Sequence, residues 1–166
     1  MLDKLTQTSD YRFVPRDPWL HGSDGDDISR SDFHLHALSS AHYCFRLSNN
    51  FGQLQKRFRT RMGSNLVLFS IVIDPAHDQP TALADYAKTW KADSHYWHFL
   101  TGPPPEIEKV ARAFDMNFYP DEALFVHSFH TVVIDREGKL AANLEGNSFS
   151  AKQLGDLVET VMAKVN

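Results

Sequence analysis

The sequence predicts an α/β domain, because two kinds of apolar pattern alternate along most of the chain. Short β-branched runs such as LVLFSIVID (66–74) are typical of strands buried on both faces of a sheet. Between such runs, apolar residues recur at helical spacing, as in PPPEIEKVARAF (103–114). The length of 166 residues suits one domain with its own core.

The first readable element is an amphipathic helix over about residues 45–61, which Gly63 ends. Its apolar positions share helical spacing and are Leu47, Phe51, Leu54 and Phe58. A buried strand follows at about 66–73. The polar loop DPAHDQP (74–80) then leads to a helix at about 80–91, which begins with Pro80 and is capped by Asp78 or a neighbour.

The second half continues the alternation. WHFL (97–100) predicts a short strand, and 103–114 predicts a helix with one apolar face. HTVVID (130–135) and LAANL (140–144) predict a hairpin, and a last helix covers about 150–164. No convincing strand precedes the first helix, so we expect the N-terminal strand of the core to be missing or aberrant.

Residues 1–43 have few periodic apolar positions and include the turn-forming stretch DPWLHGSDGDDISRSD. Only FHLHAL (33–38) alternates, and as a strand it would place His34 and His36 on one face. We therefore divide the chain into an irregular or aberrant segment, 1–43, and an α/β domain, 44–166.

Composition excludes several classes of function. The net charge of −4 and the lack of a basic run argue against nucleic-acid binding. The first residues lack the apolar run of a signal peptide, and no stretch is long enough to be a transmembrane segment. The single cysteine, Cys44, rules out an internal disulfide.

From Cys44 onward the chain resembles the SCO/SenC family of thioredoxin-like copper proteins. The similar stretches follow the family order over about three quarters of the chain, and they are YCFRLSNNFGQLQ (43–55), SIVIDPAHDQP (70–80), WHFLTGPPPEIEKVARAF (97–114) and VHSFHTVVIDREGKL (126–140). The resemblance implies a thioredoxin-like three-layer sandwich.

The resemblance also implies a copper site. Family members carry two cysteines at the mouth of the first helix and a histidine ahead of the penultimate strand; Cys44 matches the second cysteine and His127 the histidine. The first cysteine would fall at Ser40, or at Leu38 for the wider spacing, and neither is Cys. Thiolates select Cu(I), imidazole supplies a further donor, and a helix N-terminus lowers the pKa of a thiol. Copper, as Cu(I) or Cu(II), would then be bound by Cys44 and His127, more weakly than with both thiolates.

The implied function is that of a copper chaperone or electron-transport accessory for assembly of the copper centre of cytochrome c oxidase. Its partner would be an oxidase subunit or another copper or thiol protein. The family expectation for the protein itself is a periplasmic or membrane-associated location, facing the periplasm or the intermembrane space. Because such a protein passes on Cu(I) or electrons, we expect a metallochaperone rather than an enzyme. One rival is a thiol–disulfide oxidoreductase or one-Cys peroxidase with Cys44 as its catalytic thiol. The other is a degraded or redox-sensing relative that binds no metal.

Other histidines have weaker claims to a site. His130 is expected to begin a strand and to be structural, and His77 with Asp78 is expected to turn the loop that contains them. His34, His36 and His42 precede Cys44 and could be drawn as a zinc or copper site with it. The spacing of these four residues matches no known metal-binding pattern that has a structural reason.

A shifted reading frame would explain the missing cysteine. One set of codons for residues 33–40, TTC CAT CTA CAC GCG CTG TCC TCT, encodes Ser-Ile-Tyr-Thr-Arg-Cys-Pro-Leu when read one base forward. That peptide resembles the strand end and first Cys-Pro of the family. We hypothesise that the region before about residue 41 is translated from a shifted frame, which the actual codons will test.

Overall fold

The computed structural model describes residues 21–22, 35–40, 45–74, 76, 78–116, 118–121, 124–136 and 138–163. The helices within these residues are α1 (Phe45–Arg57), α2 (Pro80–Thr89), α3 (Pro104–Ala113) and α4 (Ala151–Ala163). The strands are β1 (His21–Gly22), β2 (Leu35–Ser40), β3 (Leu66–Ile71), β4 (Trp97–Thr101), β5 (Phe118–Asp121), β6 (Leu124–His127), β7 (His130–Ile134) and β8 (Leu140–Glu145).

Across the described ranges, six strands form one sheet in the order β1-β4-β3-β2-β7-β8. Strands β2, β3 and β4 are parallel to one another, whereas β1, β7 and β8 run antiparallel to their neighbours. Strands β5 and β6 form a separate antiparallel hairpin. The predicted alternation of helices and strands, with a buried sheet, is confirmed.

The central position of the sheet is filled by β2, so of the two alternatives, a missing or an aberrant core strand, the missing strand was wrong. Leu35–Ser40 pairs with β3 along its whole length, and its residues 36–39 pair with β7. The physical reason lies in the neighbours: β3 and β7 each carry backbone N–H and C=O groups that need hydrogen-bond partners once buried. An alternating segment beside them satisfies those groups even though it contains histidine. The division of the chain near residue 43 stays a prediction.

Helices cover both faces of the sheet. On one face, α1 and α4 pack against β3 and β7 through buried apolar side chains, which include Phe51, Leu54, Leu68, Val133, Leu154 and Val158. On the other face, α3 supplies part of a second buried cluster, which includes Val67, Phe69, Val110, Val132 and Ile134. Successive residues of β3 therefore alternate between two cores, as expected for a strand without a solvent-facing side.

The connections agree with the sequence in part. Helix α2 begins at Pro80 as predicted, and its N-cap residue is Gln79, the neighbour of Asp78, without a side-chain capping bond. The backbone N–H of Asp78 donates to the carbonyl oxygen of Asp74 at 2.9 Å. His77 lies outside the described residues. In the part of the chain described here, no helix is both long and apolar enough to cross a membrane.

Candidate metal centre

The end of β2 and the start of α1 lie at one edge of the sheet. Strand β2 ends at Ser40 and α1 begins at Phe45, so Cys44 immediately precedes the helix. Cys44 itself and His42 are outside the described residues, and so is His34. The backbone therefore leads to Cys44 from the carboxyl end of a central strand, as the resemblance implies.

The start of β7 lies at the same edge. Strand β7 is antiparallel to β2, and Thr131 near its beginning pairs with Ser39 near the end of β2. His130 is the first residue of β7, as predicted. Strand β6 ends at His127, three residues before His130, where it pairs with Phe118 of β5.

This topology brings the chain segments next to Cys44 and His127 to a common edge, although more than eighty residues separate them in sequence. That Cys44 and His127 form one site stays a prediction. In the described part of the chain, no three His, Cys, Asp or Glu side chains are grouped so that they could hold a metal.

The first turn of α1 favours an anion. It contains no acidic residue, so nothing in this turn offsets the partial positive charge of the helix N-terminus. Arg46 in this turn donates from Nη2 to the carbonyl oxygen of Ser148 at 3.0 Å. One turn later, Asn50 donates from Nδ2 to the carbonyl oxygen of Phe149 at 3.2 Å. The connection between β8 and α4 is thus tied to the start of α1, and a thiolate placed there would be stabilised.

His130 has an unusual environment. Its side chain is only 8% exposed, and its Nδ1 lies 2.9 Å from Oδ1 of Asn143 on β8. Asn143 in turn donates from Nδ2 to the carbonyl oxygen of Phe114 at 2.9 Å. The other ring nitrogen of His130, Nε2, is buried and has no hydrogen-bond partner. No sequence signal pointed to Asn143, because its contact depends on the register of β7 and β8.

Comparison with known proteins identifies the family. The SCO1/SenC family profile matches residues 41–163. No curated protein matches the chain. Among solved structures, copper-bound ScoI of Arabidopsis thaliana is 20% identical with a TM-score of 0.72, and the match covers 88% of this chain and 96% of that one. Copper-bound yeast Sco1 is 19% identical with a TM-score of 0.71, covering 89% of this chain and 87% of that one.

A SCO1/SenC family lipoprotein from Bacillus anthracis has the same fold, at 19% identity and a TM-score of 0.72, over 86% of this chain and 91% of the lipoprotein. These similarities confirm the predicted thioredoxin-like α/β fold. The profile match spans most of the chain, from the residues before Cys44 into the last helix. The chain therefore belongs to the SCO1/SenC family.

Proposed function

We propose that this protein is a Sco-type copper-binding protein in which Cys44 and His127 bind copper. The observation that carries the proposal is that β2, α1, β6 and β7 bring the backbone next to both residues to one edge of the sheet. Family membership and the copper-bound structures of two proteins with this fold support it.

Each residue would have a distinct role. The Cys44 thiolate is a soft donor that favours Cu(I), and its position before α1 places it where the helix N-terminus stabilises negative charge. The His127 imidazole is a borderline donor that serves both oxidation states. With one cysteine in the chain, no internal disulfide can form, so the site would carry copper rather than a reversible intramolecular disulfide.

The cargo and the family suggest the physiological role. We propose that the protein delivers copper for assembly of the copper centre of cytochrome c oxidase, with an oxidase subunit or another copper or thiol protein as its partner. We place this transfer on the periplasmic side of the membrane or in the intermembrane space, and a lipoprotein within the family is consistent with a membrane-associated site. Loss of the first cysteine would weaken copper retention.

A Cu(I) titration of the full chain tests the copper proposal. Under anaerobic reducing conditions, the protein competes with a chromogenic Cu(I) chelator, and we expect close to one copper per chain. Cys44→Ser and His127→Asn should each lower the Cu(I) affinity by at least about tenfold. Removal of a residue that only hydrogen-bonds a metal ligand already lowers metal affinity by about 10- to 100-fold, so removal of a ligand should cost no less.

The matched control is His95→Asn. The side chain of His95 is 80% exposed and its Nδ1 lies 2.9 Å from Asp93, so its loss should leave the Cu(I) affinity unchanged. Equal affinities for all four proteins would contradict the proposal. Peroxide or disulfide turnover that disappears in Cys44→Ser, without stoichiometric copper binding, would instead support the rival thiol enzyme.

A further inference from the structure

The sheet has a second edge, opposite the metal edge where β2 ends and α1 begins. Strands β3 and β4 begin at this second edge, and because β7 is antiparallel to β2, the turn between β7 and β8 lies there too. Helix α1 ends on the same side, just before β3. In the described part of the chain, this edge carries the following basic side chains that have no carboxylate partner: Lys56, Arg59, Lys91, Arg136 and Lys139. These residues define the basic edge.

Most other described cations are already paired. Lys88, Lys109 and Lys152 each contact a carboxylate of their own helix, at 2.9, 2.7 and 2.6 Å. Arg57 and Arg61 contact carboxylates of α4. The whole chain has a net charge of −4, so the unpaired cations of the basic edge do not reflect a general excess of lysine and arginine.

Part of the basic edge is a preformed concavity of about 290 Å³, which Lys56, Arg59 and Lys91 help to line. Gln55 holds the loop after α2 against the end of α1. Its Nε2 donates to the carbonyl oxygen of Lys91 at 3.0 Å, and its Oε1 accepts from the backbone N–H of Asp93 at 2.8 Å. Cations from two separate segments are therefore held side by side.

The remaining cations extend the basic edge along the sheet. Arg136 and Lys139 lie in the turn between β7 and β8. At about 4.8 Å per strand, the distance along the edge from β4 to β8 is about 19 Å. Asp93 and Asp135 lie on the same edge and offset part of this charge, and Glu137 in the turn is outside the described residues. The positive charge is thus broad rather than confined to one groove.

A broad charge without an apolar centre suits a layer of anionic headgroups better than a protein. The core of a protein–protein interface is built on apolar and aromatic side chains. Among the described residues, the one large apolar side chain that is exposed is Phe45, at 61%, and it begins α1 at the metal edge. Lipid headgroups need no such centre, because each lysine or arginine near an anionic surface is attracted separately.

We propose that the basic edge lies against the headgroups of an anionic phospholipid membrane and is held there by charge, without insertion of side chains into the hydrocarbon. Helix α1 runs from Phe45 at the metal edge to Arg57 near the basic edge, a length of about 20 Å. The metal edge would therefore point away from the membrane, towards protein domains that project from it. This orientation does not depend on copper binding, so either proposal can fail alone.

Flotation of the metal-free full chain with lipid vesicles tests the attraction. We expect binding to vesicles made of equal parts phosphatidylglycerol and phosphatidylcholine, and none to phosphatidylcholine alone. Binding should fall as sodium chloride rises from about 0.01 M to about 0.15 M, because the Debye length shrinks from about 30 Å to about 8 Å. No binding, equal binding to both vesicles, or binding insensitive to salt overturns the proposal. Poly-glutamate that stays bound at a salt concentration that releases the vesicles would overturn it in favour of an acidic protein partner.

A pair of double variants with equal loss of charge locates the contact. Arg59→Gln combined with Lys91→Gln should lower the vesicle partition coefficient about 25-fold, at about fivefold for each cation removed. The matched control combines Lys109→Gln on α3 with Lys152→Gln in the first turn of α4, whose side chains are 52% and 82% exposed. The control should bind nearly as well as wild type. Equal losses in the two variants would show that net charge rather than the basic edge governs binding, and would overturn the proposal.

The orientation is measured on the wild-type chain, so it does not depend on whether a variant folds. Small bicelles of the same two lipids, with a gadolinium chelate on some headgroups, broaden the amide signals nearest the membrane. We expect broadening at Ser64 and Gly138, which lie before β3 and in the turn between β7 and β8. Gly102 and Gly146, which follow β4 and β8 at the metal edge, should stay sharp. Broadening first at Gly102 and Gly146 would overturn the proposal.

Discussion

Gly63 lies where the chain turns from α1 towards β3, and its backbone requires glycine. Its φ angle is +75°, in the left-handed region, and its N–H donates to the carbonyl oxygen of Leu66 at 2.9 Å. A Cβ atom at this position would lie 2.5 Å from Cε1 of Tyr96, so the tyrosine ring occupies the space that a side chain would need. Two separate constraints, conformation and contact, therefore act on one residue.

Gly138 allows these two constraints to be separated. It has a similar φ angle of +78°, but apart from its chain neighbours no atom of the described residues lies within 4 Å of the position of a Cβ atom. We expect Gly138→Ala to cost roughly 1–2 kcal/mol in free energy of unfolding, the ordinary strain of a left-handed residue. Gly63→Ala should cost more, since Tyr96 must also move. Urea unfolding measures both, and equal losses would show that the tyrosine ring yields without cost.

At the scale of residues, the sequence could predict features that are local but not those that depend on the register of strands. Cys44 and His127 were chosen because each stands in a distinctive stretch, and their role as copper ligands stays a prediction. The start of β7 at His130 was also predicted. The hydrogen bond between His130 and Asn143 joins two strands, and no local sequence pattern predicts it. The burial of its Nε2 without a hydrogen-bond partner also became visible only in the structure.

At the scale of elements, Arg57 links α1 to α4. Its Nη2 donates to Oδ1 of Asp156 at 2.8 Å and to Oε2 of Glu159 at 2.6 Å, and its Nη1 donates to the carbonyl oxygen of Lys152 at 3.2 Å. The hydrogen bond from Arg57 lowers the pKa of Glu159, and those from Lys152 and Arg57 lower the pKa of Asp156. The two carboxylates in turn raise the pKa of Arg57.

The direction of these shifts predicts a pH dependence. A carboxyl whose pKa is lowered on folding stabilises the fold above its ordinary pKa and loses that contribution as the pH falls through the lowered value. The ordinary values are 3.8 for Asp156 and 4.5 for Glu159. Arg57→Met should therefore reduce stability at neutral pH, and the difference from wild type should shrink below about pH 4.

Urea midpoints at neutral pH and at about pH 3.5 measure that difference. Arg112→Met is the control, because Arg112 pairs with Glu108 of its own helix, α3. A constant difference between Arg57→Met and wild type across this pH range would mean that the arginine acts through packing rather than through its charge.

Elements were predictable to different degrees for physical reasons. Among the described helices, α1, α3 and α4 carry apolar stripes of helical period, so their positions followed from the pattern, whereas α2 was placed by Pro80. The β5–β6 hairpin was missed, since Pro120 within β5 disguises a strand that pairs on one side only. Strand β2 was underestimated because its composition is poor for a central strand, although its two neighbours provide backbone partners.

At the scale of the whole molecule, the hypothesis to test is that the chain before about residue 41 is translated from a shifted reading frame. The backbone of β2 is in place, so the hypothesis now rests on the absence of a Cys-Pro before α1 rather than on a vacant strand position. We expect sequencing of the codons for residues 1–45 to reveal, in another frame, an apolar strand that ends in Cys-Pro. Codons that encode neither feature in either alternative frame would reject the hypothesis.

The pairing of β2 with β7 also dictates an order of events during synthesis. Their paired residues are more than ninety positions apart, so β2 leaves the ribosome long before its neighbour exists. Until β7 arrives, one edge of the central strand is open to other chains. The proposed copper ligands flank these same strands, with Cys44 after β2 and His127 shortly before β7. A nascent chain would therefore have no complete site, and copper could be loaded only after the C-terminal half has been made and folded.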